Sequence, residues 1–168
     1  MTLQDHLDSN DFDYELIEHL PKTSNIKTTL NPKVTNDKVA KTILLGDDDS
    51  YLLAVIPASH RLDVDRLNSA MARALVIMND NELEATFHDC DRRSIPPTGE
   101  LYGIETIIDP AILNKDEIFF ESVDRQKMVH MSVDNFRRLL TDAHVHTVSH
   151  NMYCHDLIGG QKCLMVAI

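Results

Sequence analysis

The chain has 168 residues, with 16 Lys or Arg against 27 Asp or Glu, a formal net charge of −11 and 43% hydrophobic residues. That length and apolar content fit one compact domain, while so negative a charge excludes broad binding along a phosphate backbone and leaves only a local grip on a nucleic acid. No apolar run approaches the roughly 20 residues that cross a bilayer, residues 1–13 lack the order of a signal peptide, and Cys90, Cys154 and Cys163 form no CxxC pair, so the expectation is a cytosolic protein without a disulfide framework.

Thr2 can cap a short helix with Leu3 and Leu7 on one face. Residues 14–19 read as a first strand, 21–32 as a polar loop and 37–40 as a short helix. Residues 41–45 and 51–57, joined by Gly46, Asp47, Asp48, Asp49 and Ser50, read as a β-hairpin. Both runs are almost wholly apolar, which places the hairpin inside its sheet. Asp63 then caps an amphipathic helix carrying Val64, Leu67, Met71, Ala74 and Leu75 at helical spacing. A second helix over 80–87, a loop over 88–99, a strand over 104–108 and a hairpin from 117–121 and 127–131 follow. Ser132 begins a helix with Phe136, Leu139 and Leu140 inward. Strands and helices are mixed without regular βαβ alternation, so the fold class is α+β with a mixed sheet.

No Walker loop, GxGxxG, GxSxG or HExxH pattern occurs. Lys41 opens an otherwise apolar strand, where its amine can point from the sheet end into a cleft and hold a phosphate or oxyanion; a solvated lysine that blocks edge pairing is the plainer alternative. The loop Ser94-Ile95-Pro96-Pro97-Thr98-Gly99 is fixed by proline and ends in glycine, so it can hold backbone against a ligand or simply cross the surface. His60 and Arg61 follow the second hairpin strand and could bind an anion or shuttle a proton, or serve in capping and packing. His144, His146, His150 and His155, with Cys154, lack the close ligand pairing of zinc sites, and no metal is expected.

In order along the chain, Ala40-Lys41-Thr42-Ile43-Leu44-Leu45, the run from Tyr51 through Pro57-Ala58-Ser59-His60-Arg61-Leu62-Asp63, Ile95-Pro96-Pro97-Thr98-Gly99, Ile107-Ile108-Asp109, and Phe120-Glu121 through Val129-His130-Met131-Ser132 resemble the YbaK/prolyl-tRNA-synthetase-associated family. The resemblance runs from about residue 10 to about residue 140. It implies a mixed, partly barrel-like sheet flanked by helices, with a domain over 1–140 and a His-rich tail over 141–168. It also implies hydrolysis of the ester of mischarged aminoacyl-tRNA. Lys41 matches the family's functional lysine, and Pro96, Pro97 and Gly99 match the loop that borders its pocket. Ser122 and Val123 stand where the family carries a glycine loop, and Arg93-Ser94 replaces a glycine pair.

On this reading Lys41 grips the terminal nucleotide, with His60, Pro96, Pro97, Gly99, Ser122 and Val123 around the substrate. Backbone amides near Gly99 and Ser122-Val123 polarise the ester carbonyl, and an apolar pocket selects a small amino acid. No cofactor is needed, because an aminoacyl ester is already reactive and positioning can suffice. The partners implied are a tRNA acceptor end and an aminoacyl-tRNA synthetase. The alternative is a non-catalytic member that binds a nucleotide or a protein.

Overall fold

The computed structural model describes residues 2–18, 34–87, 95–122 and 127–152. In chain order the elements are α1 (Leu3–Ser9), β1 (Glu15–Glu18), β2 (Ala40–Gly46), β3 (Tyr51–Pro57), β4 (His60–Leu62), α2 (Val64–Met71), β5 (Val76–Ile77), α3 (Asp80–Thr86), β6 (Glu105–Ile108), α4 (Pro110–Leu113), β7 (Glu117–Glu121), β8 (Lys127–Ser132), α5 (Val133–Leu139), β9 (His144–Val145) and β10 (Ser149–Asn151). The strands form a five-stranded sheet ordered β5-β2-β3-β6-β9, a three-stranded sheet ordered β1-β8-β7, and a β10-β4 ladder. This is the mixed α+β architecture the sequence predicts. Among the described residues the sheets do not close into a barrel; the two larger ones meet at a single parallel bridge, Val39 to Phe119.

The predicted hairpin is central. β2 and β3 pair antiparallel from Ala40–Pro57 to Gly46–Tyr51, and β6 lies parallel to β3 on its other side, with Leu53 beside Thr106 and Val55 beside Ile108. Leu52 through Pro57 are all buried, because both faces of β3 are covered. On one face Leu45, Leu52, Ala54, Ile56 and Ile107 pack against Leu62, Leu67, Leu75 and Val148. On the other, Ala40, Val55 and Ile108 meet Ile112, Phe120, Val129 and Phe136, while Leu44 and Leu53 meet Phe87. The hairpin turn is locked from outside: Asp47 Oδ1 accepts from the Asp49 and Ser50 amides, and Asp47 Oδ2 accepts from Arg73 Nε at 2.7 Å. The Arg73 guanidinium and these amides hold the Asp47 carboxyl well below the ordinary carboxylate range.

Local signals explain most boundaries. Thr2 and Asn79 each close a capping box, with Asp5 and Glu82 respectively, and Ser132 caps α5. Helix α2 stops at Met71, short of the Leu75 its periodicity suggests. Ala72 adopts the left-handed conformation at φ 52°, and the Asn68 side chain brackets the Leu75 backbone, donating to its carbonyl and accepting from its amide. The chain is thereby turned so that Val76 and Ile77 pair with β2. Residues 37–40 are not helical: 36–38 form a turn and Ala40 already belongs to β2. Helix α4 was not expected; Asp109 caps it and Pro110 fills its first position. Residues 144–151 of the predicted tail contribute β9, parallel to β6, and β10, paired with β4. The predicted loop over 21–32 lies outside the described residues. No described helix is long and apolar enough to cross a membrane.

The loop before β6 has no room for a side chain at Gly99, where a Cβ would lie 2.0 Å from the Ile104 carbonyl oxygen and 2.7 Å from Thr106 Oγ1. Gly99→Ala must therefore push the loop off the sheet. We expect a loss of about 2–3 kcal/mol, in the upper range of single substitutions, measured by urea unfolding; an unchanged midpoint would show that the loop yields freely.

Candidate functional site

Lys41 is the second residue of β2 and is exposed. Its cross-strand partner is Ile56, so strand alternation sets it on the face of Ile43 and Leu45. Two nearby lysines are paired: Lys38 Nζ lies 3.2 Å from Glu117 and Lys115 Nζ lies 2.9 Å from Asp37. Lys41 has no such carboxylate among the described residues. In a chain of net charge −11, an unmatched ammonium at a sheet end is a local positive point.

The other predicted contacts fall differently. Pro96, Pro97, Thr98 and Gly99 are buried. The Gly99 amide donates to Thr106 Oγ1 at 3.0 Å, and Thr106 sits beside Leu53, on the sheet face opposite the Lys41 position. The loop thus braces the sheet from behind. Ser122 is buried, and its amide donates to the Lys127 carbonyl at 2.9 Å. The Gly99 and Ser122 amides, among those expected to polarise a carbonyl, are thus already engaged. Ser122 does lie near the lysine strand: the parallel Val39–Phe119 bridge carries β7 forward alongside the start of β2. Val123, Ser94, Arg93, Cys154 and His155 lie outside the described residues.

His60 begins β4 and is partly exposed. The Ala58 amide donates to the Val39 carbonyl and the Asp109 amide to the Val55 carbonyl. His60 therefore sits at the sheet end where β2 begins and β3 and β6 finish, the same end as Lys41. Its Nδ1 lies 2.8 Å from Ser149 Oγ, and that hydroxyl donates to Asp109 Oδ2 at 2.7 Å. Since Ser149 spends its only proton on Asp109, the proton between Ser149 and His60 belongs to Nδ1, and Nε2 carries the lone pair. Burial pushes the His60 imidazole below its ordinary value; Asp109 opposes this, and His150 and Lys115 reinforce it.

Sequence reasoning missed Asp109 and Ser149. Asp109 is 1% exposed. Its Oδ2 accepts from the Val148 amide, the Ser149 amide and the Ser149 hydroxyl, and its Oδ1 from the Ala111 amide. The Asp109-Pro110 pair was a legible helix-start signal, but nothing local linked it to Ser149. Among the tail histidines, His144 Nε2 bonds Glu105 at 2.7 Å and His150 lies in β10.

A separate cleft of about 310 Å³ lies between the loop before β6 and the end of α5. Its lining includes Glu100, Glu105 and Asp142 and no basic side chain, so it would repel a nucleotide phosphate.

The chain matches the family described as the aminoacyl-tRNA editing domain over residues 19–139. No curated protein sequence matches it. Among solved structures, it resembles a candidate signal transduction protein from Marinobacter aquaeolei VT8 at 20% identity and TM-score 0.71, covering 89% of this chain and 30% of that one. It resembles hypothetical protein APE2540 at 16% identity and TM-score 0.77, covering 88% and 99%. It also resembles a candidate trans-editing enzyme for prolyl-tRNA synthetase at 14% identity and TM-score 0.73, covering 89% and 95%. At these identities the structures speak for the fold alone.

Asp109→Ala leaves buried donors from two segments without an acceptor, each costing about 1–3 kcal/mol. We expect a total loss of at least ~3 kcal/mol on the same basis. Hydrogen exchange should quicken first at Val148 and Ser149; unchanged protection there would show that the carboxylate is not what holds this segment.

Proposed function

Because the chain belongs to the aminoacyl-tRNA editing domain family, we propose that it hydrolyses the ester of mischarged aminoacyl-tRNA, with Lys41 at the centre of the site. The observation that carries this reading is the unmatched Lys41 ammonium at the sheet end, in a protein whose neighbouring lysines are neutralised. A compact ammonium suits a phosphate or ribose edge of a terminal nucleotide. No protein nucleophile is required: water attacks the ester carbonyl, and the enzyme supplies position and charge. With the Gly99 and Ser122 amides engaged, Lys41 is the donor this reading offers to the developing oxyanion.

Residues 1–140 form the editing domain on this reading, and the Pro96–Pro97–Gly99 loop supports the sheet from its far side. Ser122 and Val123 flank the substrate. A small amino acid is selected by size, a discrimination worth about 1–3 kcal/mol per methylene. The net charge of −11 restricts contact to the acceptor end and favours delivery of the tRNA by a synthetase. A second reading, a non-catalytic nucleotide- or protein-binding member, draws on the two engaged amides and on Val123 standing where the family carries glycine.

The test is deacylation by the purified chain of tRNAs charged with glycine, alanine, serine or cysteine. Lys41→Ala should lower the rate by ~100-fold or more, the usual cost of one lost electrostatic donor, at unchanged thermal stability. Lys41→Arg should also be poor, because a planar fork cannot replace a compact ammonium. Val123→Gly should raise the rate. Equal, clearly enzymatic rates for wild type and Lys41→Ala would remove Lys41 from the centre. If neither wild type nor Val123→Gly exceeds spontaneous hydrolysis, the binding reading takes over.

A further inference from the structure

Two groups in the turn that leads from β3 into β4 have unfilled hydrogen-bonding capacity. His60 Nε2 has no partner among the described residues, although its ring is held at Nδ1 by Ser149. The preceding residue, Ser59, is 5% exposed, and its hydroxyl has no hydrogen-bond partner among the described residues. Buried hydroxyls are normally satisfied, so the Ser59 hydroxyl, next in sequence to the fixed imidazole, has capacity for a bound water or a ligand hydroxyl. The Asp109–Ser149–His60 chain joins the cap of α4 to β10 and β4, and is tied by backbone amides at its buried end. It fixes both the tautomer and the ring orientation of His60.

Resting on the deacylase reading above, we propose that His60 is the general base of the reaction, taking the proton of the attacking water at Nε2, with Ser149 and Asp109 as positioning residues. A neutral imidazole with a bare Nε2 accepts a proton and cannot donate one, so what it meets first is a hydroxyl or a water and not a phosphate. The water O–H bond breaks toward Nε2 while its oxygen bonds the ester carbonyl carbon. Collapse of the tetrahedral species breaks the ester C–O bond, and the Nε2 proton passes to the departing ribose oxygen. Water and ester thus become free amino acid and free tRNA terminus, with His60 regenerated. Throughout, Nδ1–H stays on Ser149 and the Ser149 hydroxyl stays on Asp109. The charged groups around the ring are Asp109 from the end of β6, His150 from β10 and Lys115 from the turn before β7. Burial disfavours the imidazolium, Asp109 favours it, and His150 and Lys115 disfavour it, so the ring is shifted toward its neutral form.

Two measurements on the full chain test this. In a pH titration followed by ¹⁵N imidazole NMR, His60 should appear as the Nδ1–H tautomer and titrate below its ordinary value; Ser149→Ala should lose that tautomer preference. An Nε2–H tautomer in the wild type overturns the proposal. In deacylation of the same four charged tRNAs, wild-type kcat/KM should fall on acidification along a limb set by His60. His60→Gln should lose that limb together with ~100-fold or more in rate, as expected for a removed general base. Ser149→Ala should lower kcat and move the limb with little change in KM, which a merely structural lesion would not do. A wild type that deacylates and a His60→Gln variant with the same rate and pH profile would overturn this inference and leave the deacylase reading standing. A wild type that hydrolyses no charged tRNA removes the reading itself and this step with it.

Discussion

The constraint from which the rest follows is that β3 is apolar on both faces. Its last six residues are all buried, so the sheet needs a cover on each side. Helix α2 with Leu62 and Val148 supplies one cover, and the β7–β8 hairpin with α5 supplies the other. Burying a Leu, Val or Ile side chain contributes about 1.5–3 kcal/mol, and β3 does so at Leu52, Leu53, Val55 and Ile56. Past Tyr51 such a strand offers no polar side chain. Chemistry is therefore pushed to its ends, and the end that β3 shares with its parallel neighbour β6 is where Lys41, His60 and Asp109 lie. Ligands of open sheets with parallel strands favour that carboxyl end for the same topological reason.

The charge distribution is consistent with a small target. Two lysines near the site are spent on ion pairs, Lys38 on Glu117 and Lys115 on Asp37, and at the opposite end of the hairpin Arg73 holds the Asp47 turn. Exposed pairs of this type contribute little stability, typically about 0–1 kcal/mol. Their effect is to neutralise Lys38 and Lys115 locally, while Lys41 has no carboxylate partner among the described residues. So negative a chain is poorly suited to broad contact along nucleic acid.

How much of this was legible in the sequence depends on the range of the interaction. The β2–β3 hairpin, α3, the β7–β8 hairpin and α5 were readable because each is specified by neighbours in sequence: an apolar run, a turn, a cap. The end of α2 was not, because Asn68 stops it through the backbone of Leu75, a side-chain choice that periodicity does not record. The short strands β5, β9 and β10 were missed because two or three residues carry no period. Lys41 and His60 were singled out, yet their distinct environments depend on partners far away in sequence. Ser149 is the clearest case. It is one of several serines in a polar segment, and only the fold brings it to Asp109. The Pro96–Gly99 loop was legible as a proline-fixed segment ending in glycine, while its Gly99 bond to Thr106 on β6 was not.

The parallel strands impose an order on synthesis. β3 leaves the ribosome early, with β2 its only available sheet partner, while β6, β9 and the Val148–Ser149 amides that satisfy Asp109 come much later. At roughly 5–20 residues per second, the stretch between Pro57 and Ser149 takes on the order of ten seconds to make. Helix α2 follows the hairpin directly, but the face that β7, β8 and α5 cover stays open until those elements are made, which is the situation in which strand edges of nascent chains find one another. The yield of folded protein should then be set less by the stability of the finished sheet than by how well holdase chaperones shield this hairpin until the last strand arrives.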